Sequence, residues 1–321
     1  MTHISVIIPT RNRCAILGRS LPRLFDQTLP AHMYEIIVVD DGSQDDTRAM
    51  IAAMAFPDLI CFGHETSRGP AAARNTALRQ AKGHLLVFVD DDAFVPRDFL
   101  EAHRARHEQT PHAIVTGPII EVTDIPAPVA SFRSSWRGRH GSPLPSGNAS
   151  VAKASVLDAG GFDEDFTEYG WEDPELYIRL RRLGMRRVYE PSAPIFHYKT
   201  RETRADFAAR LRAEDMRGRM GALFYAKHRD SSVANWTKQR LLFQALEIWL
   251  DKSLNLHARA ERVLAGKGTP TSALMRWLLI NHVEISSGRK AWRALGSTRR
   301  VALARGEKLD IPLRMLTEKM P

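Results

Sequence analysis

Three consecutive aspartates, Asp90–Asp92, follow directly on an apolar run that ends at Val89. Carboxylates this close together repel one another, and a bound cation normally relieves that repulsion. Carboxylate oxygens suit Mg²⁺ or Mn²⁺, and either ion bridges readily to a diphosphate. The alternative is a solvated acidic turn, but the abrupt change from apolar to acidic residues weighs against it.

A second acidic cluster, Asp40-Asp41-Gly42-Ser43, follows the apolar run that ends at Val39. A carboxylate at a strand end can accept hydrogen bonds from a base or a ribose, as it does in other nucleotide-binding folds. Asp-Gly-Ser is equally suited to a turn that caps a helix, so both interpretations stay open. Arg74 lies in an Ala-rich helical segment, where it is either a phosphate contact or an ordinary surface arginine.

Two further places carry residues that could take part in chemistry. Glu172 and Asp173 precede Pro174 at the start of a charged segment, a placement that also suits the first turn of a helix. His197 follows an extended apolar run, and a lone histidine in such a place is usually structural.

These clusters need a scaffold, and the first half of the chain predicts one. Strand and helix patterns alternate in a βαβαβαβ order, which predicts an α/β fold with a mostly parallel sheet and helices on both faces. Ligands of such sheets bind beyond the carboxyl ends of the strands. The predicted strands cover 4–8, 34–39, 59–62, 84–89 and 113–122, and the predicted helices cover 13–28, 46–55, 69–81 and 96–108.

The remainder of the chain is less regular. Residues 123–146 are rich in Pro, Ser, Gly and Arg and predict a long loop. A helix is predicted over 170–184 and extended chain over 186–198. From residue 201 onward the pattern is helical and poor in proline, which predicts a separate helical region over 201–321.

Charge divides the chain in the same place. Residues 1–200 carry 22 basic and 25 acidic side chains, whereas residues 201–321 carry 24 basic and 12 acidic ones, within a net charge of +9. The basic helices fit contact with an anionic membrane surface, a partner subunit or an acidic acceptor. They fit equally a plain helical appendage packed on the catalytic domain. No helix-turn-helix, zinc-finger or aromatic RNA-binding pattern accompanies the charge, so no nucleic-acid partner is expected.

Composition limits the compartment. Two cysteines, Cys14 and Cys61, make neither a disulfide framework nor a four-ligand zinc site. We find no signal-peptide pattern at the N-terminus and no apolar run approaching the ~18 residues that span a bilayer. The expected location is the cytoplasm, with peripheral binding at the inner face of the membrane as one use of the basic helices. The oligomeric state is left open.

Taken together, four motifs in this order resemble glycosyltransferase family 2, a large family of inverting enzymes with the GT-A fold. The resemblance covers about residues 3–200, with a nucleotide-sugar half over 1–122 and an acceptor half over 140–200. The matching stretches are Ser5–Arg13, Val38–Ser43, Gly69–Asn75, and Phe88–Asp92 followed by Pro96.

The resemblance implies a nucleoside-diphosphate sugar donor, most often UDP-linked, and a Mn²⁺ or Mg²⁺ ion. It implies that Asp92 and His197 bind the metal, although Ala93 replaces a common fourth acidic residue of the family's acidic run. The loop containing Arg133, Trp136, Arg137 and Arg139 is expected either to act as a lid or to remain a solvated basic loop. The implied contacts of the nucleotide-sugar are Pro9, Thr10, Arg11, Asp40, Arg74, Asp90 and Asp91.

The acceptor half carries a segment, Tyr169–Leu176, that resembles the Trp-Gly-x-Glu-Asp segment of the galactosyltransferase-like branch. There, a carboxylate at the start of a helix is the catalytic base. The resemblance therefore implies Asp173 as the general base and Glu172 as its partner, with Trp171 and Asn148 near the acceptor. The acceptor itself stays open among a saccharide, a lipid-linked glycan, a peptide and a small molecule.

Two other functions fit parts of the pattern. A binding or scaffold protein would keep the fold without the chemistry, but the intact acidic clusters oppose this. A sugar nucleotidyltransferase would carry a Gly-rich phosphate loop after the first strand, where this chain has Pro9–Arg13 and no glycine before Gly18. The sequence therefore favours a metal-dependent, inverting hexosyltransferase.

Overall fold

The computed structural model describes residues 3–128, 142–199, 204–268, 270 and 272–307. The proposed lid residues Arg133, Trp136, Arg137 and Arg139 lie outside this part of the chain.

The chain forms two compact units. The first comprises Met1–Glu164 and Glu172–Thr200, and the second comprises Asp165–Trp171 and Arg201–Pro321. The division after residue 200 lies where the sequence predicted a change of domain. The segment Asp165–Trp171, which we had assigned to the first domain, instead packs with the helices of the second unit.

The first unit contains two sheets. Seven strands form the main sheet in the order β3-β2-β1-β4-β8-β6-β9, and a smaller sheet has the order β5-β10-β7. The strands are β1 (Ile4–Thr10), β2 (Tyr34–Asp40), β3 (Leu59–Gly63), β4 (Leu85–Val89), β5 (Ala93–Phe94), β6 (Ala113–Thr116), β7 (Ile119–Val122), β8 (Asn148–Ala152), β9 (Arg186–Tyr189) and β10 (Ile195–Tyr198).

Short helices connect these strands, with a single 3₁₀ turn at Ala31–Met33. The helices of the first unit are α1 (Cys14–Ser20), α2 (Pro22–Phe25), α3 (Thr47–Ala52), α4 (Pro70–Gln80), α5 (Phe99–Gln109), α6 (Lys153–Asp158) and α7 (Glu172–Arg182). Those of the second unit are α8 (Arg204–Lys227), α9 (Ser231–Trp236), α10 (Leu241–Leu254), α11 (Leu256–Leu264) and α12 (Ala273–Ala304).

The predicted α/β fold with a mostly parallel sheet is confirmed. Strands β1, β2, β3 and β4 all run parallel to one another. An apolar core covers each face of the sheet. Alternate side chains of β2 point to opposite faces of the sheet. Ile36 and Val38 pack in the core on one face, and Ile37 and Val39 pack in the core on the other. This burial on both sides explains why the central strands are continuous apolar runs.

The sequence missed the strand β8, which pairs antiparallel with both β4 and β6. Its residues, Asn-Ala-Ser-Val-Ala, are small and partly polar and give no strong strand pattern. The single strand predicted over 113–122 is also wrong, because β6 and β7 belong to different sheets. The helix predicted over 13–28 breaks at Pro22, which starts a new helix since it lacks the N–H that would continue the first.

The second unit is helical, as predicted. Its apolar core joins α8, α11 and α12 through a cluster that includes Phe207, Leu211, Leu256 and Leu279. Helices α8 and α12 approach closely at Gly218, where a Cβ atom would lie 2.2 Å from the carbonyl oxygen of Glu284. Among the described residues, no helix is both long and apolar enough to cross a membrane.

The junction between β6 and β7 predicts one sensitive position. A Cβ atom at Gly117 would lie 1.8 Å from the carbonyl oxygen of Ala193. Since that oxygen belongs to backbone that cannot move freely, we expect Gly117→Ala to lower the free energy of unfolding by about 2 kcal/mol in urea titrations. The control is Gly18→Ala, whose Cβ would make only ordinary contacts with Met50. An equal effect of the two substitutions would contradict this account.

Candidate active site

Polar residues from β1, β2 and β4 meet at the carboxyl edge of the main sheet. Thr10 ends β1 and lies in register with Asp40, which ends β2. Asp90 follows the last residue of β4, the strand on the other side of β1. The parallel arrangement therefore brings the predicted clusters to one edge.

Asp91 points into the protein and anchors the acidic run. Its carboxylate accepts a hydrogen bond of 2.7 Å from the hydroxyl of Thr10, and its carbonyl oxygen accepts one of 2.6 Å from Ser20. Burial raises the pKa of Asp91 to about 7, against the opposing effects of Arg13 and Thr10. Because Asp91 holds the turn in place, its two neighbours are left to face the site.

Asp92 and His197 form the predicted pair. The His197 Nε2 atom lies 2.9 Å from Oδ1 of Asp92 and 4.0 Å from Oδ2 of Asp90. The pairing of β5 with β10 places His197 opposite Ala93, next to the acidic run. Burial lowers the pKa of His197, but the negative charges of Asp92 and Asp90 outweigh burial and raise it.

The donor atoms of Asp90, Asp92 and His197 all lie within 4.8 Å of one another. Two carboxylates with one imidazole nitrogen form a donor set that suits Mn²⁺ or Mg²⁺. Desolvation raises the pKa of Asp90, and Asp92 adds to this effect, so an uncompensated charge there is costly. These three residues therefore fit a divalent cation, which would offset that charge.

A buried ion-pair group lies beside the acidic run. The Arg74 guanidinium is 3.1 Å from the carboxylate of Glu172 and 3.7 Å from that of Asp173. Helix α7 begins at Glu172, so both carboxylates occupy its first turn, where the helix dipole favours negative charge. Burial, followed by the Asp173 charge, raises the pKa of Glu172 to about 7.

Backbone contacts fix the position of Asp173. The N–H of Ser146 donates a 3.0 Å hydrogen bond to its Oδ2 atom. The other oxygen, Oδ1, is buried and has no hydrogen-bond partner within the described parts of the chain. At the next residue, Gly147, a Cβ atom would lie 2.2 Å from a carboxylate oxygen of Asp90, so any other residue would require the Asp90 side chain to move out of its present position.

The two aspartates at the carboxyl end of β2, Asp40 and Asp41, make different contacts. Asp40 is fully buried and binds the side chain of Arg48 and the backbone N–H of Ser43. Asp41 binds the loop before α4: it accepts from Ser67, from the backbone N–H groups of residues 68 and 69, and pairs with His64. The turn interpretation of this cluster therefore describes Asp40, which accepts from the N–H of Ser43, whereas Asp41 holds the distant loop before α4. A nucleotide contact by Asp40 stays a prediction.

The remaining predicted site residues differ in exposure and in the hydrogen bonds that they make. Pro9 and Arg11 lie at the end of β1, where Arg11 is exposed. Asn148 is fully buried, with its amide donating to the carbonyls of Pro118 and Ala193. Trp171 is buried against the helical unit and donates to the carbonyl of Arg217. Acceptor contacts by these last two residues stay predictions, which their present hydrogen bonds do not favour.

Some residues of the site were not among those we predicted. Arg13 binds Asp92 at 2.9 Å and approaches Asp91 at 3.6 Å. It stands in the polar run after β1, so its position was a usable signal. No comparable sequence signal marks Ser146 and Gly147. Ser146 acts through its backbone N–H and Gly147 through its lack of a side chain, and both are positioned by the missed strand β8.

Asp41 carries a stability prediction. Its hydrogen bonds outweigh burial and lower its pKa, so its stabilising effect is present above the ordinary carboxyl pKa and is lost as the pH falls below it. We expect Asp41→Asn to lower the unfolding free energy by about 2 kcal/mol at pH 7. The difference from the unmodified protein should shrink below about pH 4. Urea titrations across this range test it, with the exposed Asp158→Asn as a control that should show little difference at any pH.

Comparison with known families agrees with this geometry. Residues 5–140 match the model of "Glycosyl transferase family 2", and residues 129–204 match that of the "N-terminal domain of galactosyltransferase". The two matches cover the first unit and both candidate clusters.

Curated relatives show the same affiliation. The chain is 30% identical over 207 residues to the pre-mycofactocin glycosyltransferase of Mycobacterium tuberculosis, covering 60% of this chain and 42% of that protein. It is 29% identical over 221 residues to the validoxylamine A glucosyltransferase of Streptomyces hygroscopicus subsp. jinggangensis, covering 57% and 52%. The chain thus spans about half the length of these relatives.

Solved structures share the GT-A fold. The mannosyltransferase PcManGT from Pyrobaculum calidifontis, in complex with GDP-Man and Mn²⁺, is 22% identical with a TM-score of 0.59, covering 90% of this chain and 87% of that one. TarS 1-349 from S. aureus, in complex with UDP-GlcNAc, is 18% identical with a TM-score of 0.52, covering 95% and 92%.

Proposed function

We propose that this chain, whose residues 5–140 match the model of glycosyl transferase family 2, transfers a sugar from a nucleoside-diphosphate sugar to an acceptor, with inversion and with a divalent metal. One observation carries the proposal. A candidate metal cluster and a partly buried base candidate lie in the same unit, joined through Arg74, whose charge acts on Asp90 as well as on Asp173.

The donor side supports a diphosphate. Arg74 is buried, and its Nε atom has no hydrogen-bond partner among the described residues. A phosphate oxygen would satisfy that N–H and offset the desolvated charge. Bound at Asp90, Asp92 and His197, a Mn²⁺ or Mg²⁺ ion would neutralise charge on the departing diphosphate. We assign the donor to the UDP-linked class, in agreement with the sequence motifs.

The acceptor side supports a general base. Asp173 has one oxygen held by Ser146 and a second oxygen that accepts no hydrogen bond from the residues the structure describes, in a side chain that is 17% exposed. Such an oxygen can take the proton of an acceptor hydroxyl as that hydroxyl attacks the anomeric carbon. The Glu172 carboxylate lies 3.1 Å from the Arg74 guanidinium, whereas the Asp173 carboxylate lies 3.7 Å from it. Asp173 is therefore the less tightly paired of the two. We therefore assign Glu172 to positioning.

The metal assignment predicts a graded loss of binding. We expect His197→Ala to weaken Mn²⁺ binding by about 10- to 100-fold and Asp92→Ala to weaken it more, since a carboxylate also supplies charge. Calorimetric titration of Mn²⁺ in the presence of UDP measures this. Asp46→Ala is the control, because Asp46 is exposed and its side chain makes no capping hydrogen bond. Unchanged affinity in both site variants would contradict the metal assignment.

The base assignment predicts a loss of turnover without a loss of donor affinity. Asp173→Asn keeps the shape of the side chain but cannot take up the proton, so kcat should fall by about 10²- to 10⁴-fold. Donor affinity should stay within about twofold, because donor contacts remain. Glu172→Gln is the matched control and should reduce kcat less. Full turnover by Asp173→Asn would show that another group is the base.

The donor must be identified before these rates are measured. A thermal-shift screen of UDP-, GDP- and dTDP-sugars with Mn²⁺ present does so, because a ligand that binds only the folded state raises the melting temperature. We expect the largest shift with a UDP-sugar. Absence of any shift with all three nucleotides would favour a scaffold that has kept the fold and lost the chemistry.

A further inference from the structure

Helix α10 has its apolar and charged sides reversed relative to an ordinary surface helix. Its large exposed side chains are almost all apolar: Leu241 is 83% exposed, Leu242 is 75% exposed and Trp249 is 63% exposed. Its acidic residues face the protein, where Glu247 is buried and Asp251 is partly buried. A helix normally turns its apolar side inward, so this orientation needs an explanation.

Buried contacts of Glu247 fix this orientation. The carboxylate of Glu247 lies 2.8 Å from Nδ1 of His282 and 2.9 Å from a guanidinium nitrogen of Arg289, both on α12. Turning α10 over would separate Glu247 from Arg289 and leave their charges unpaired, which is strongly destabilising. The apolar side is therefore held outward by the interior of the second unit.

The outward side forms one continuous surface. At 100° per residue, the exposed positions of α10 span a single arc of the helix, which we call the α10 apolar face. A second exposed apolar pair, Leu274 and Trp277, lies at the start of α12 in the same unit. The α10 apolar face consists of Leu241, Leu242, Ala245, Leu246, Ile248 and Trp249.

Charge indicates what covers this face. The exposed charged residues on and next to α10 are Arg240 and Lys252, and both are basic. Residues 201–321 carry 24 basic and 12 acidic side chains, so two copies of the unit would repel each other, whereas an anionic lipid surface would attract it. Exposed Trp and Leu beside basic residues are typical of helices that lie in the membrane interface.

We propose that α10 docks this protein on an anionic membrane surface, with its apolar face inserted among the lipid headgroups and Arg240 and Lys252 contacting lipid phosphates. This inference goes beyond the proposed sugar transfer and does not depend on it, because it concerns a surface of the second unit alone.

Vesicle flotation of the full chain tests the proposal. We expect binding to vesicles of equal parts phosphatidylcholine and phosphatidylglycerol, weaker binding to phosphatidylcholine alone, and loss of binding at high salt. Leu241→Ser with Leu242→Ser should weaken binding by about tenfold or more, because both side chains would leave the lipid. The matched control is Leu157→Ser with Leu183→Ser, two leucines of the first unit that are 51% and 52% exposed.

A second readout uses Trp249. Its fluorescence should shift to shorter wavelength when anionic vesicles are added, and Trp249→Phe should remove that part of the shift while keeping most of the binding. Absence of vesicle binding, or equal loss in the control pair, would overturn the proposal. Concentration-dependent dimers that only the Leu241 and Leu242 substitutions dissolve, without vesicle binding, would overturn it in favour of an interface between copies.

Discussion

Repulsion among carboxylates at one edge of the sheet is the constraint on which the rest of the structure depends. The acidic run Asp90–Asp92 and the α7 pair, Glu172 and Asp173, lie there, and several of these side chains are buried, so the unfavourable charge cannot simply be solvated. The protein offsets it with basic side chains placed among the acids. Arg13 serves the acidic run, Arg74 serves the helix α7 pair, and His197 stands between Asp90 and Asp92.

The fold supplies these basic side chains from separate parts of the chain. Arg13 follows β1, Arg74 lies on α4, and His197 is carried by β10 in the small sheet. Because each of them depends on a different connection, the site forms only when the whole first unit has folded. This dependence explains why ordinary packing residues, such as Gly117 at the junction of the two sheets, matter for a site they do not touch.

The sequence predicted the parallel core of the sheet well, because strands buried on both faces are continuous apolar runs followed by abrupt polar clusters. The acidic run stood out from its residue types alone, whereas His197 and the α7 carboxylates were predicted only through family motifs, since a lone histidine or a Glu-Asp-Pro start has other common uses. The roles of all these residues stay predictions. The sequence missed β8, whose small and polar residues carry no strand signal. It also could not separate Asp40 from Asp41, because only tertiary contacts show which carboxylate binds the α4 loop.

Antiparallel β8 contributes to the site through the two residues that precede it, whereas the parallel strands contribute through the residues at their carboxyl ends. Ser146 holds Asp173 through a backbone N–H, and Gly147 meets Asp90 through the absence of a side chain. The two neighbouring positions therefore have different requirements: position 146 needs a backbone N–H, and position 147 needs the absence of a side chain. Any residue small enough for the buried position 146 can preserve the anchor except proline, which lacks the N–H. A side chain at position 147 would displace the Asp90 carboxylate, so relatives that keep this geometry should have a non-proline residue followed by glycine.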